Sequence, residues 1–169
     1  MTARTYITLF SITSATLLFD SCIEEKPEQT ESSFQHIQTT ILNTSCALSG
    51  CHASSQDASF TQHGLILKEG EAYANLVNAD PHNHHAHEDG LKRITPGDPE
   101  KSFLIHKLHC DTDHHSHDYG SVMPLGLDPL SQGQIEYITK WIEEGAPETG
   151  MIDADLALLD GLEAVDRPA

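Results

Sequence analysis

Apolar residues recur along this chain at helical spacing. Phe34, Ile37, Ile41 and Leu42 fall at i, i+3, i+7 and i+8, a stripe that runs straight into Cys46. Ser32 or Ser33 starts that helix, and Gln35 stands at capping-box distance from Ser32. Tyr73, Leu76 and Val77 mark a short helix over 71–77. Leu104, Ile105 and Leu108 follow Asp98 and Pro99, an N-cap and a first-turn proline. The best-defined helix comes last. Ser131 and Gln134 form its capping box, Ile135, Ile138, Trp141 and Ile142 share one face, and Gly145 with Pro147 stops it. The intervening segments, ASSQDASFTQHG and DPHNHHAHEDG among them, read as loops. No stretch reads as a β-hairpin and no internal repeat is visible, so the expected fold class is all-α.

A different pattern precedes these helices. Residues 1–21 carry Arg4, an apolar and hydroxyl-rich run from Tyr6 to Phe19, and small Ser21 before Cys22. The run is too short and too rich in Ser and Thr for a good spanning helix. A cysteine after a small residue at the end of such a run resembles a bacterial lipoprotein signal, with Cys22 as the lipidated residue. An uncleaved N-terminal anchor is the alternative, and both imply export to the periplasm or cell envelope. Residues 22–33 then read as a polar tether, 34–148 as the folded domain, and 149–169 as an acidic tail with a short helix at 156–162.

Composition narrows the partners. Nine basic residues against 26 acidic ones give a formal charge of -17. Nucleic acid is excluded, because its phosphates need Lys and Arg. Basic-patch binding to anionic lipid is excluded for the same reason, leaving a lipid anchor as the route to the membrane. A protein partner with a basic docking face fits the charge. Aromatic residues make up only 6% of the chain, so its own core would be thin and a bound prosthetic group would add apolar mass. Export also means that Cys46, Cys51 and Cys110 cannot be assumed to persist as thiols. Pairing Cys46 and Cys51 with each other, or with a haem, leaves Cys110 over.

The chemistry concentrates in SCALSGCH, residues 45–52. Two thiols and an adjacent imidazole suit covalent haem attachment, although the usual motif is C-x-x-C-H and this one is two residues longer. The same residues suit half of a zinc site completed by His109 or Cys110, or a small-loop disulfide. Met123, in the turn-forming MPLG stretch ahead of the last helix, offers a sixth ligand to a haem iron, with Pro124 stiffening its loop.

Taken together, CALSGCH (46–52), GLILKEGEAYANLVN (64–78), RITPGDPEKSFLIHKL (93–108), MPLG (123–126) and LSQGQIEYITKWIEEGAP (130–147) resemble a class I c-type cytochrome domain. The likeness is narrower to the planctomycete-type and envelope-lipoprotein members, and it covers roughly residues 34–147. It implies a cytochrome c-like small helical domain around one covalent haem c, with long loops. Cys46 and Cys51 would carry the thioethers, His52 would be the proximal ligand and Met123 the distal one. Such a protein carries single electrons and has no open iron position for enzymatic turnover. Arg93, just ahead of the PGDP segment, is a candidate propionate contact.

Two His-rich segments stand apart from this pattern. His82, His84, His85 and His87 lie in one; His109, His114, His115 and His117 lie in the other, each interleaved with carboxylates. Such sets suit Cu(II) or Zn, or are solvated decoration. The competing class is therefore a His-rich envelope lipoprotein that binds Cu or Zn, with a Cys46–Cys51 disulfide and no haem.

Overall fold

The computed structural model describes residues 31–109 and 117–161. The leader, Cys22, most of the tether, Cys110, His114, His115 and the last eight residues lie outside them, as does the side chain of His117.

The described chain is helix-rich, as the apolar spacing implies. Helix α1 (Ser33–Ile37) opens on Ser32, whose hydroxyl accepts the Gln35 N–H at 3.1 Å. The capping box is only half made, because the Gln35 side chain donates to Glu69 instead. The helix continues without a break as a π-helical segment, Gln38–Cys46. Polar side chains inside it compete for the backbone: Thr44 donates to the Thr40 carbonyl, and Gln38 donates to Asn43 and to the Leu67 carbonyl. The wider winding still buries Ile37, Ile41 and Leu42 on one side and delivers Cys46 at its end.

Short elements follow. Helix α2 (Phe60–His63) and helix α4 (His84–Glu88) stand where the sequence reads as loop. In α4 the Asn83 side chain caps the Ala86 N–H at 2.8 Å, and Ala86 is fully buried. Helix α3 spans Ala72–Leu76. Asp98 and Pro99 start a 3₁₀ turn, Pro99–Lys101, and helix α5 begins only at Phe103 and runs to Leu108. Ser102 causes the interruption. Its buried hydroxyl donates to the Asp98 carbonyl at 2.8 Å and accepts the Thr95 N–H at 2.9 Å, which holds its backbone extended.

Helix α6 (Gln132–Glu143) has the full reciprocal capping box of Ser131 and Gln134. Ile135, Ile138, Trp141 and Ile142 are its buried face. Phe34 from α1 stacks on Trp141 with ring centroids 5.5 Å apart, and Tyr73 from α3 meets Phe34 edge-on at 5.1 Å. One apolar core thus joins α1, the π-helical segment, α3, α5 and α6.

Packing does not end at residue 148, where the sequence reading places the domain boundary. Ile152 and Leu159 are buried in the same core, and a 3₁₀ turn at Leu156–Asp160 lies on α6. Gly133 makes that approach feasible: a Cβ there would stand 2.5 Å from the Leu158 carbonyl oxygen. Tyr137, one turn on from Gly133 and one turn before Trp141, is buried at the edge of the predicted face and widens it. Residues 149–161 are acidic, yet Ile152 and Leu159 point inward, while Met151 and Leu156 stay exposed. Among the described residues no helix is long and apolar enough to cross a membrane.

Candidate functional site

A cavity of about 440 Å³ opens between the segment that follows Cys46 and the loop at Met123. That lies within the usual range for a bound organic group. Cys46, Cys51 and His52 line it, as do Met123, Pro124 and Arg93, and leucine is the commonest residue in its walls. The structure therefore brings together the six residues that the sequence singles out for haem, although they span 79 positions of chain, from 46 to 124.

Each is positioned by local chemistry. The π-helical segment ends at Cys46, and the chain then turns so that the His52 N–H meets the Cys46 carbonyl at 3.3 Å. Asp57 braces this turn from outside: its carboxylate accepts the N–H groups of Gly50, Ala53 and Ser54 at 2.8–3.0 Å. Those bonds, Gly50's foremost, hold the Asp57 carboxyl below the ordinary range for an aspartate. Cys46 and Cys51 are two separate thiols. Burial, with Cys51 beside it, pushes the Cys46 thiol up to about 12, so it is protonated at neutral pH.

His52 Nδ1 stands 3.3 Å from the Leu65 carbonyl oxygen, and the Leu67 N–H donates to the His52 carbonyl. With Nδ1 committed to that carbonyl, Nε2 is the nitrogen left to a metal. Burial pushes His52 below its ordinary pKa, which favours the neutral ring that ligation needs.

His63 packs against it at a tilt of 51°, ring centroids 4.1 Å apart. Its Nδ1 accepts the Leu65 N–H, so Nε2 carries the proton and donates to Ser59 Oγ at 3.1 Å. Ser59 in turn donates to the Cys51 carbonyl. Next to this pair the His82 ring packs onto Gly64, where any Cβ would stand within 2.6 Å of three ring atoms. Gly64 also has φ +55°, which a glycine adopts without strain.

Arg93 is buried in the cavity wall. Its guanidinium donates to the carbonyls of Asn75, His63 and Gly64 at 2.9–3.1 Å. These neutral acceptors position the charge without cancelling it, which suits the wall of a site for an anionic group.

On the opposite side, the Met123 N–H donates to the Lys107 carbonyl at 2.7 Å, and the Met123–Pro124 peptide is cis. The Lys107 ammonium donates to the carbonyls of Tyr119 and Ser121. Burial pushes its pKa down to about 8. Tyr119 packs edge-on against Phe103 and donates its hydroxyl to Asp89 at 2.7 Å. Leu125 and Leu127 stand exposed at the rim.

The His-rich segments approach each other, since Asn83 Nδ2 donates to the Asp118 carbonyl at 3.1 Å. All four of His82, His84, His85 and His87 are exposed; His82 also lines the cavity, and the other three lie on α4, with His84 3.2 Å from Glu88. Among the described residues no three His, Cys, Asp or Glu side chains are grouped so as to hold a metal ion.

Asp57, His63 and Lys107 are the contributors that sequence reasoning missed. A helix signal existed for His63, because Gly64 directly after it is a C-terminal cap. Nothing local marks the other two. No family model, curated protein or solved structure matches this chain.

Proposed function

We propose that this chain is a monohaem c-type cytochrome that carries single electrons in the bacterial cell envelope, anchored by lipid at Cys22. One observation carries the reading. One cavity is lined by two thiols, an oriented neutral imidazole and a methionine loop, together with seven leucines.

The donor set fits the group. Cys46 and Cys51 would each add S–H across a vinyl bond, giving two thioethers with no change in oxidation state. His52 Nε2 and Met123 would hold the iron. Arg93 would face a propionate. Leu65, Leu67, Leu76, Leu104 and Leu108 would keep water from the ring. Haem held there would supply a one-electron couple, whose potential its protein ligands and the apolar walls would tune. The formal charge of -17 supports docking to a basic face on the partner, with association slowing as salt rises.

The deciding experiment expresses the chain with a cytochrome c maturation system and reads the pyridine haemochrome spectrum with the intact mass. A c-type spectrum and the mass of one added haem are expected. Met123→Ala should then keep the haem and lower the reduction potential. A colourless protein would sink the reading and hand the chemistry to the His-rich segments.

A further inference from the structure

Lys107 holds the Met123 loop at both ends of its own residue. Its carbonyl accepts the Met123 N–H at 2.7 Å. Its ammonium reaches back across the same loop to the carbonyls of Tyr119, at 2.9 Å, and Ser121. A Cβ on Gly120 would stand 3.8 Å from the ammonium nitrogen, so the charge lies against the inside of the turn. Three bonds from one side chain and its peptide thus close a ring over residues 119–123.

Both ends of the ring are firm. Lys107 sits on α5 between buried Ile105 and Leu108. Tyr119 is fixed by Phe103 and by Asp89. The Cys46, Cys51 and His52 side of the cavity is braced separately, by Asp57 and by the Leu65 carbonyl.

We infer that Lys107 is a positioning residue for Met123, fixing the loop so that the sulfur is presented to the cavity. This rests on Met123 being the distal iron ligand. Lysine suits the task because an ammonium offers three donors and can bridge two carbonyls. An apolar replacement of similar length keeps the stem against Phe103 but leaves both carbonyls without their donor.

The test compares wild type, Lys107→Met and Lys107→Arg as full-length holoproteins. Covalent haem content, read by haemochrome and mass, should be equal in all three. Lys107→Met should lose the red charge-transfer band of methionine-ligated ferric haem and show a lower reduction potential. It should also bind imidazole about ten-fold tighter, the equivalent of one lost hydrogen bond. The Met123 amide should exchange about ten-fold faster by the same argument. Lys107→Arg, which keeps the donors, should restore the band.

Band, potential, imidazole affinity and amide exchange all unchanged in Lys107→Met would overturn the inference while leaving the haem reading intact. Wild-type holoprotein that lacks the band removes Met123 as ligand and the clamp with it. If Lys107→Met fails to retain haem, Lys107→Arg decides. Haem with an intact band supports the clamp, and loss of haem there too makes Lys107 a structural residue only.

Discussion

The two halves of this molecule are held together by different means. Around α6 the contacts are apolar: Trp141 stacks on Phe34, and Ile135, Ile138 and Ile142 meet α1, α5 and the 149–161 segment. Around the cavity the contacts are side chain to backbone. Asp57 gathers three N–H groups, Arg93 three carbonyls and Lys107 two. Apolar burial is tolerant of direction and supplies most of the stability. Polar brackets are directional, and they suit a wall that must stay open while keeping its shape. The comparison separates residues that make the domain fold from residues that give the site its geometry.

Truncation after residue 148 should have the largest effect. It removes Ile152 and Leu159 from the core, and at about 1.5–3 kcal/mol for each buried side chain the loss is about 3–6 kcal/mol. Urea unfolding measures it, and a truncated chain as stable as the whole would break the assignment of 149–161 to the apolar half. Arg93→Met comes next. It takes the donor from three part-buried carbonyls on the cavity wall, where water can replace it in part, so the total cost is about 1–3 kcal/mol, read from the same unfolding curves. On the proposed cytochrome reading it should also lower haem retention, which a change in the α6 core of equal thermodynamic cost should not do selectively.

The smallest effect is local and depends on pH. The Asp57 carboxyl is depressed in the folded state, so its contribution is fully present above the ordinary aspartate range near 3.9 and is lost as pH falls through the lower folded value. Hydrogen exchange at Gly50, Ala53 and Ser54 should therefore stay slow on mild acidification and accelerate only below that range. Asp57→Ala should show the fast rates at every pH, with the exchange of α6 amides unchanged. Acceleration spread evenly over both halves would argue against two separately braced regions.

The same division explains what could be read from the sequence. Helix α6 was legible because its capping box and its 3.6-residue stripe are local signals, and both appear as expected. The residues lining the cavity were legible by type, since thiols, an adjacent imidazole and a methionine before proline announce ligand chemistry. Their brackets were not. Asp57 acts on a turn seven residues back, and Lys107 acts on carbonyls 12 and 14 residues ahead, distances that carry no periodic mark. The α5 start at Phe103 escaped for a related reason: Asp98–Pro99 is a sound start signal, but Ser102 spends its hydroxyl on Asp98 and Thr95. The Gly133 contact escaped because a glycine inside a helix reads as a weakness until the segment lying on it is seen.

Ser33 joins the beginning of the packed chain to its end. Its N–H donates to the Gly150 carbonyl at 3.0 Å, and its hydroxyl accepts the Ile152 N–H at 2.9 Å. In mechanical terms the domain is a closed loop with a buckle. Tension from the N-terminal side would fall first on that buckle, and tension from the C-terminal side would first meet the 156–160 turn on α6. A tug from the N-terminal side would be resisted at Ser33 before it reached Cys46.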